Sequence, residues 1–284
     1  MEPGRASRTA IRVAMRRAAH QLMDDPPVLN DPFAVPLLGA RFVLDRDAEA
    51  HPVARAFRAF MAVRSRYAED QLARAVEQSV SQYVVLGAGL DTFAYRNPFH
   101  QLRVFEVDHP ATQEWKRALL AEAIEALPGM TFPESVTFVP LDFEHKTLVA
   151  GLAEAGFDFS EKAYFGWLGV VPYLTMDAFR STLHAIAKLP AGSGVSFDYG
   201  LDPEILLPSR RIAFEALAAR VAAAGEPFRL FFTPENLETE LRGAGFHRIE
   251  QQDSRQLNEL YFQNRSDGLA LPLDGPGMVA TAWI

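Results

Sequence analysis

One stretch of the sequence carries chemistry by residue type and spacing. Tyr83-Val84-Val85-Leu86-Gly87-Ala88-Gly89-Leu90-Asp91-Thr92 runs a short apolar strand into a glycine turn. Glycine lets a backbone bend sharply and lets a ligand approach to contact distance. Asp108 follows Gly89 by about 20 residues, the spacing of a carboxylate at the next strand end that accepts the protons of ribose hydroxyls. Glu106, two residues earlier and on the same strand face, is a second candidate. Strand, turn and acid together imply a nucleotide-like ligand, against the plainer alternative of a tight turn with no ligand.

The position that would hold the third glycine of a dinucleotide-binding turn is Thr92. The cradle for a pyrophosphate is therefore incomplete. S-adenosylmethionine (SAM) has no phosphates and needs no such cradle, so this position favours SAM over NAD. For proton transfer, His20, His109 and His184 are candidates by type only, and no general base is identified. Tyr173 and Tyr199 fall at or near strand ends, where ligands bind in open α/β sheets, and either would orient an acceptor or simply pack. No spacing of metal ligands is apparent, which predicts metal-independent chemistry.

These residues need elements to position them. Tyr83–Leu86, Arg103–Asp108, Val136–Asp142, Ala163–Val170 and Gly194–Tyr199 are strand candidates separated by helical patterns. That alternation predicts a parallel, doubly wound, Rossmann-like α/β sheet. Pro110 opens one helix, Thr175 caps another, and Thr233-Pro234 starts a third that Gly245 ends. His247–Gln252 and Met278–Ile284 are two further strands, paired as an antiparallel edge, making seven with the last antiparallel. Residues 1–81 read as an N-terminal helical cover: a helix capped by Ser7 and running to about Leu22, a loop over Asp24–Asp31, and a long helix from about Val53 to Ser79. Residues 82–284 form the sheet domain, with a helical insertion over about 201–232, and the whole is one structural unit.

Composition bounds the rest. The chain has 284 residues, 49% of them hydrophobic, enough to bury a full core. A formal net charge of −8 repels phosphate backbones, which argues against nucleic acid as a partner. There is no cysteine, so disulfides, thiolate metal sites and cysteine nucleophiles are excluded, in keeping with a cytoplasmic protein. No apolar run approaches the ~18 residues of a membrane helix. The arginine-rich start (Arg5, Arg8, Arg12, Arg16, Arg17) is either a basic helix face or a transit-peptide-like stretch.

At these residues the chain resembles the leucine carboxyl methyltransferase and polyketide carboxyl methyltransferase group of class I SAM-dependent methyltransferases. The similar blocks are Ser7-Arg8-Thr9-Ala10, Asn30-Asp31-Pro32-Phe33-Ala34, Val63-Arg64-Ser65-Arg66-Tyr67, Leu86 to Thr92, Phe105-Glu106-Val107-Asp108-His109-Pro110, Pro140-Leu141-Asp142-Phe143, and Trp167-Leu168-Gly169-Val170 with Tyr173-Leu174. The resemblance implies that Arg64 holds the methionine carboxylate of SAM, a task that suits a bidentate guanidinium. It implies that Gly87 and Gly89 pass under the methionine part and that Asp108 binds the ribose. It implies that Asp142 meets the adenine amino group with Phe143 packing on the base. Leu168 departs from the pattern, because members of the group often carry Glu there. Asp108, Glu106 or backbone carbonyls would have to compensate, or SAM binding would weaken.

The function expected is therefore O-methylation of a small-molecule carboxylate or hydroxyl, such as a polyketide-like acid or phenol. The acceptor pocket is expected between the carboxyl edge of the sheet and the helical cover. The alternatives are a non-catalytic SAM-binding protein and, less favoured, a nicotinamide oxidoreductase. The sequence leaves the acceptor and the oligomeric state open.

Overall fold

Alternation along the central strands decides how the layers form. In β1 (Gln82–Leu86) every residue is buried. Val84 and Leu86 join one hydrophobic cluster, whereas Tyr83 and Val85 join another. A strand buried on both faces must have helices on both sides, as side chains alternate with a period of two. The computed structural model describes residues 8–127, 132–143, 145–223 and 225–284. The Ser7 cap and Arg5 lie outside them.

Ahead of β1 come the helices α1 (Arg8–Met23), α2 (Arg46–Ala50) and α3 (Pro52–Glu77). After it come β2 (Arg103–Asp108), α4 (Pro110–Ala126), β3 (Val136–Pro140), α5 (Leu148–Glu154), β4 (Ala163–Trp167), α6 (Met176–Ile186), β5 (Gly194–Leu201) and α7 (Pro208–Ala223). The chain ends with β6 (Phe231–Phe232), α8 (Pro234–Ala244), β7 (Arg248–Gln252), α9 (Ser254–Tyr261) and β8 (Gly277–Trp283). The caps act as their residue types predict. Thr175 accepts from the Ala178 N–H, Thr233 accepts from the Asn236 N–H, and Gly245 ends α8 at φ 107°.

The sheet runs β3-β2-β1-β4-β5-β8-β7, with β6 added to the end of β5. β1 to β5 are parallel, and β8 is antiparallel to both its neighbours. Three details differ from expectation. The sheet has eight strands, because the two-residue β6 pairs Phe231 and Phe232 with Gly200 and Leu201. The last strand lies between β5 and β7, so β7 is the edge. The fourth strand stops at Trp167, before Gly169 turns the backbone at φ 72°.

One face of the sheet packs on α5, α6 and α8 through Leu152, Phe179, Leu183, Leu237 and Leu241. The other packs on Ala14 and Ala18 of α1, Leu72 and Ala75 of α3, and Leu119 and Leu120 of α4. Farther along α3, Ala59, Ala62, Val63 and Tyr67 pack with Leu257, Phe262 and Val279. Strand order reverses between β1 and β4, and in such sheets the ligand crevice opens outside the strand ends at that point. Among the described residues, no helix is long and apolar enough to cross a membrane.

Candidate active site

A cavity of about 500 Å³ opens at that reversal point. Its floor is the turn after β1, Gly87 to Asp91, with Asp108 at the end of β2. Gly87 sits at φ 64°, and a Cβ there would lie 2.4 Å from Cγ2 of Val170. Only glycine meets both conditions. The turn is tied to β2 by the Ala88 N–H, which donates to the Val107 carbonyl at 3.0 Å. The Asp108 carboxylate accepts from the Gly89 N–H and the His109 N–H, each at 2.6 Å. Burial pushes the Asp108 carboxyl above the usual carboxylate range, and those two N–H groups oppose the rise.

Arg64 reaches the opposite wall from α3. It is buried, and its Nη1 donates to Oδ2 of Asp198 at 2.8 Å. Oδ1 of Asp198 takes the Gly169 N–H at 2.5 Å. One carboxylate from β5 thus fixes both the guanidinium and the turn after β4, where Leu168, Gly169 and Val170 line the cavity. Arg17 of α1 lines it as well. Its guanidinium donates to Asp91 at 3.0 Å, to Asp31 at 2.6 Å and to the Thr92 hydroxyl at 2.7 Å. Burial works against ionisation of Asp91, but the charges of Arg17, Lys116 and Arg96 outweigh it and hold its carboxyl below the usual range. Thr92, in the place of a third glycine, is filled and hydrogen-bonded, since it also donates to Asp31 at 2.8 Å.

The roof comes from α1 and from residues 225–229. Thr9 donates to the Glu226 carboxylate. The Arg229 and Leu230 N–H groups both donate to the Pro172 carbonyl, at 2.7 and 3.2 Å. Phe228 braces the segment, its ring centroid 5.3 Å from Tyr173 and 6.1 Å from Phe214 of α7. Tyr173 faces the cavity, and burial pushes its phenol up against the opposing hydrogen bond to Thr9.

The structure therefore brings Arg64, Gly87, Gly89, Asp108 and Tyr173 to one cavity. Other expected residues are placed elsewhere. Glu106 is fully buried beneath α4, where its Oε2 lies 2.8 Å from Nζ of Lys116 and accepts from the Tyr95 hydroxyl at 3.0 Å. It shares a strand face with Asp108 but sits a pleat deeper, and it is corrected from a ligand residue to a core ion pair. Tyr199 is 1% exposed, and its hydroxyl donates to Gln251 at 2.5 Å. It is a core residue and not an acceptor contact. Asp142 and Phe143 follow β3 outside the cavity lining, with Asp142 one-third exposed and Phe143 60% exposed.

None of the three histidines lines the cavity. His20 is buried, with Nε2 accepting from the Val28 and Leu29 N–H groups at 2.9 and 3.2 Å and Nδ1 at 2.7 Å from Asp24. His109 caps α4, and His184 lies on α6 with Nδ1 at 2.7 Å from the Arg180 carbonyl. Asp198 and Glu226 carry no expectation from the sequence, and Arg17 and Thr9 fall in stretches that it marks without giving either a role in the site. An acid inside the mostly apolar strand Val195-Ser196-Phe197-Asp198-Tyr199 is the one signal that marks Asp198, because buried carboxylates need partners. Among the described residues, no group of three or more His, Asp or Glu is placed to hold a metal ion.

The leucine carboxyl methyltransferase family matches residues 10–187. The chain is 30% identical to YktD of Bacillus subtilis (strain 168), provisionally named an S-adenosyl-L-methionine-dependent methyltransferase, over 95% of this chain and 96% of that protein. It is also 30% identical to a protein of the same provisional name from Mycobacterium avium (strain 104), over 94% of this chain and 89% of the other. Among solved structures it is similar to a provisionally named methyltransferase from Thermobifida fusca YX, with TM-score 0.56 and 22% identity over 87% of this chain and 91% of that one. A DUF574 family protein from Streptomyces avermitilis MA-4680 gives TM-score 0.53 and 18% identity, covering 88% and 95% of the two chains.

Proposed function

This chain belongs to the leucine carboxyl methyltransferase family and is a SAM-dependent methyltransferase, and from that premise we propose that it methylates a carboxylate or hydroxyl oxygen of a small molecule. The observation that carries the proposal is the two-walled cavity: a cofactor floor of glycine turn and carboxylate, and a separate roof with its own polar groups.

The residues present fit SAM. Each Asp108 oxygen takes one backbone N–H and keeps a lone pair for a ribose hydroxyl. Arg64 spends one N–H on Asp198, which leaves donors for the methionine carboxylate. Asp142 and Phe143 complete the proposal at the adenine end. They stand just past Leu141, whose N–H donates to the Asp108 carbonyl at 2.9 Å.

When bound, SAM supplies a methyl group already activated by the adjoining sulfonium. The tasks left to the chain are to hold the acceptor in line and to exclude water. Ala10, Val13, Ala14, Leu90 and Val170 give the cavity apolar walls that suit an aromatic or polyketide-like acid or phenol. A carboxylate acceptor needs no base, which agrees with a lining free of histidine and lysine among the described residues. For a hydroxyl acceptor, Glu226 and Tyr173 are the groups in place to take or orient the proton. Transfer of labelled methyl from SAM to a panel of aryl and polyketide-like acids and phenols tests the reading. Activity on at least one such small molecule is expected, and activity confined to a protein C-terminus would overturn it.

A further inference from the structure

A second cavity, of about 530 Å³, opens at the β7 edge of the sheet among α3, β7 and α9, and it shares no residue with the first. Tyr67, Asp70, Gln71 and Arg74 line it from one face of α3, and Glu250 and Gln252 from one face of β7. Buried polar groups are ordinarily paired within the protein. Here several are left unpaired. Gln71 is 3% exposed, and its Oε1 takes Nη1 of Arg74 at 3.5 Å, but among the described residues its Nε2 has no hydrogen bond. Tyr67 is 2% exposed, and its hydroxyl has no partner in hydrogen-bonding geometry, with Thr281 and Gln252 beside it. Glu250 spends Oε1 on Arg248, at 2.5 and 2.9 Å, and its Oε2 stands 4.0 Å from Nη1 of Arg74. Asp70, by contrast, is satisfied by Arg66 and by the Tyr261 hydroxyl, each at 2.9 Å.

The unspent groups are of both kinds and line one space. Gln71 Nε2 and the Arg74 guanidinium donate, while Glu250 Oε2 and the oxygens of Tyr67 and Gln252 accept. Charge is balanced as well. Asp70 has Arg66 and Glu250 has Arg248, which leaves Arg74 and Glu259 as one of each sign. A lone anion or a lone cation would leave half of this array unmet. A zwitterion with a carboxylate and an ammonium on neighbouring atoms meets both halves. We propose that this cavity binds a free α-amino acid, its carboxylate on Gln71 and Arg74 and its ammonium on Glu250, Gln252 and Tyr67, with Leu260 and Tyr261 against an apolar side chain. The site stands apart from the SAM cavity and does not rest on what that cavity binds.

The test titrates the full chain by calorimetry with L-leucine and L-phenylalanine, with S-adenosylhomocysteine (SAH) in excess and again without it. Each amino acid is set beside the analogues that lack one charge: 3-methylbutylamine and 4-methylpentanoate for leucine, 2-phenylethylamine and 3-phenylpropionate for phenylalanine. At least one amino acid is expected to bind roughly tenfold or more tightly than both its analogues, the scale of one charge-assisted hydrogen bond. Gln71→Met and Glu250→Gln should each erase that preference, with the near-UV signal unchanged as the check on folding. Should Gln71→Met unfold, Tyr67→Phe takes its place. Glu154→Gln, at an exposed acid on α5, should keep the preference. An amino acid bound no better than its analogues, or a preference kept in Glu250→Gln, overturns the proposal. An equal loss in Glu154→Gln overturns it too, by tracing the binding to general surface charge. Binding that SAH abolishes does the same, because the methionine end of the first cavity is then the site.

Discussion

Asp108 and Asp198 are both carboxylates at the sheet's crevice, but they do different work. Asp108 keeps acceptor capacity that faces the cavity, so Asp108→Ala is expected to weaken SAH binding by roughly tenfold to a hundredfold, the range of hydrogen bonds to a charged group. Calorimetric titration reads this directly, and unchanged affinity would remove Asp108 from the site. Asp198 spends both oxygens inside the protein, on Arg64 and Gly169. Asp198→Ala leaves a buried guanidinium uncompensated, which costs about 3–5 kcal/mol of stability by urea unfolding. The pair replaced together, Arg64→Met with Asp198→Leu, should regain much of that stability while losing SAH binding. A double variant that binds SAH normally would show that Arg64 does not touch the cofactor. The sequence made Asp108 legible because one spacing rule ties a glycine turn to the next strand end. It misplaced Glu106 because the same rule gives a face and not a depth: two residues along a strand move a side chain about 6.6 Å back from the edge, here under Lys116. Asp198 stayed hidden because its partners lie on α3 and after β4, distant in sequence and joined only by the fold.

At the scale of elements, the N-terminal helices α1, α2 and α3 are held together by one buried network. Arg58 of α3 donates to both oxygens of Asp24, at 2.8 and 2.9 Å, and to Glu49 of α2, while His20 of α1 pairs with the same Asp24. Burial opposes ionisation of Asp24, but Arg58 and His20 outweigh it and hold the carboxyl at about 2, below its ordinary 3.8. A carboxyl depressed on folding contributes its stability above the unfolded value and loses it as pH falls through the folded one. Asp24 thus stabilises the fold by about 2 kcal/mol at neutral pH, and that contribution fades between about pH 4 and pH 2. Asp24→Asn should be less stable by about this amount at pH 7, with the gap closing near pH 2 in urea titrations at each pH. A gap that does not change with pH would place the effect in packing instead. Helix and strand types were legible along most of the chain, because periodicity and caps such as Thr175 and Thr233 are local signals. The two-residue β6 was not, since nothing in Phe231-Phe232 exceeds the apolar background. The short α2, α5 and α9 were not singled out either, because each is too brief for a periodic face to stand out.

At the scale of the whole molecule, cover and sheet do not separate into halves that each own a core. α3 buries Leu72 and Ala75 with Tyr83 and Val85 of β1, and Val63 and Tyr67 with Val279 of β8. The C-terminal strand in turn sits between β5 and β7, so β7 joins the sheet only through the last strand of the chain. The site follows the same division, with Arg64 and Arg17 from the helices and Asp108 with the glycine turn from the sheet. Two consequences are expected together. Residues 82–284 expressed alone should retain helical far-UV signal but lack the near-UV signal of fixed side chains, because the part of the sheet face that packs on α1 and α3 is stripped of its cover, leaving only α4 on that side. The full chain should unfold in one transition, and SAH at 100 times its dissociation constant should raise that transition's free energy by about 2.7 kcal/mol, the linkage value for one site on the folded state. If the fragment folds cooperatively, or if the full chain melts in two steps of which SAH moves one, then the cover is an independent domain and the binding site belongs to the sheet alone. A single transition moved as a whole by SAH means that the cofactor is held jointly, and that any substitution loosening α1 or α3 weakens SAH binding without touching it.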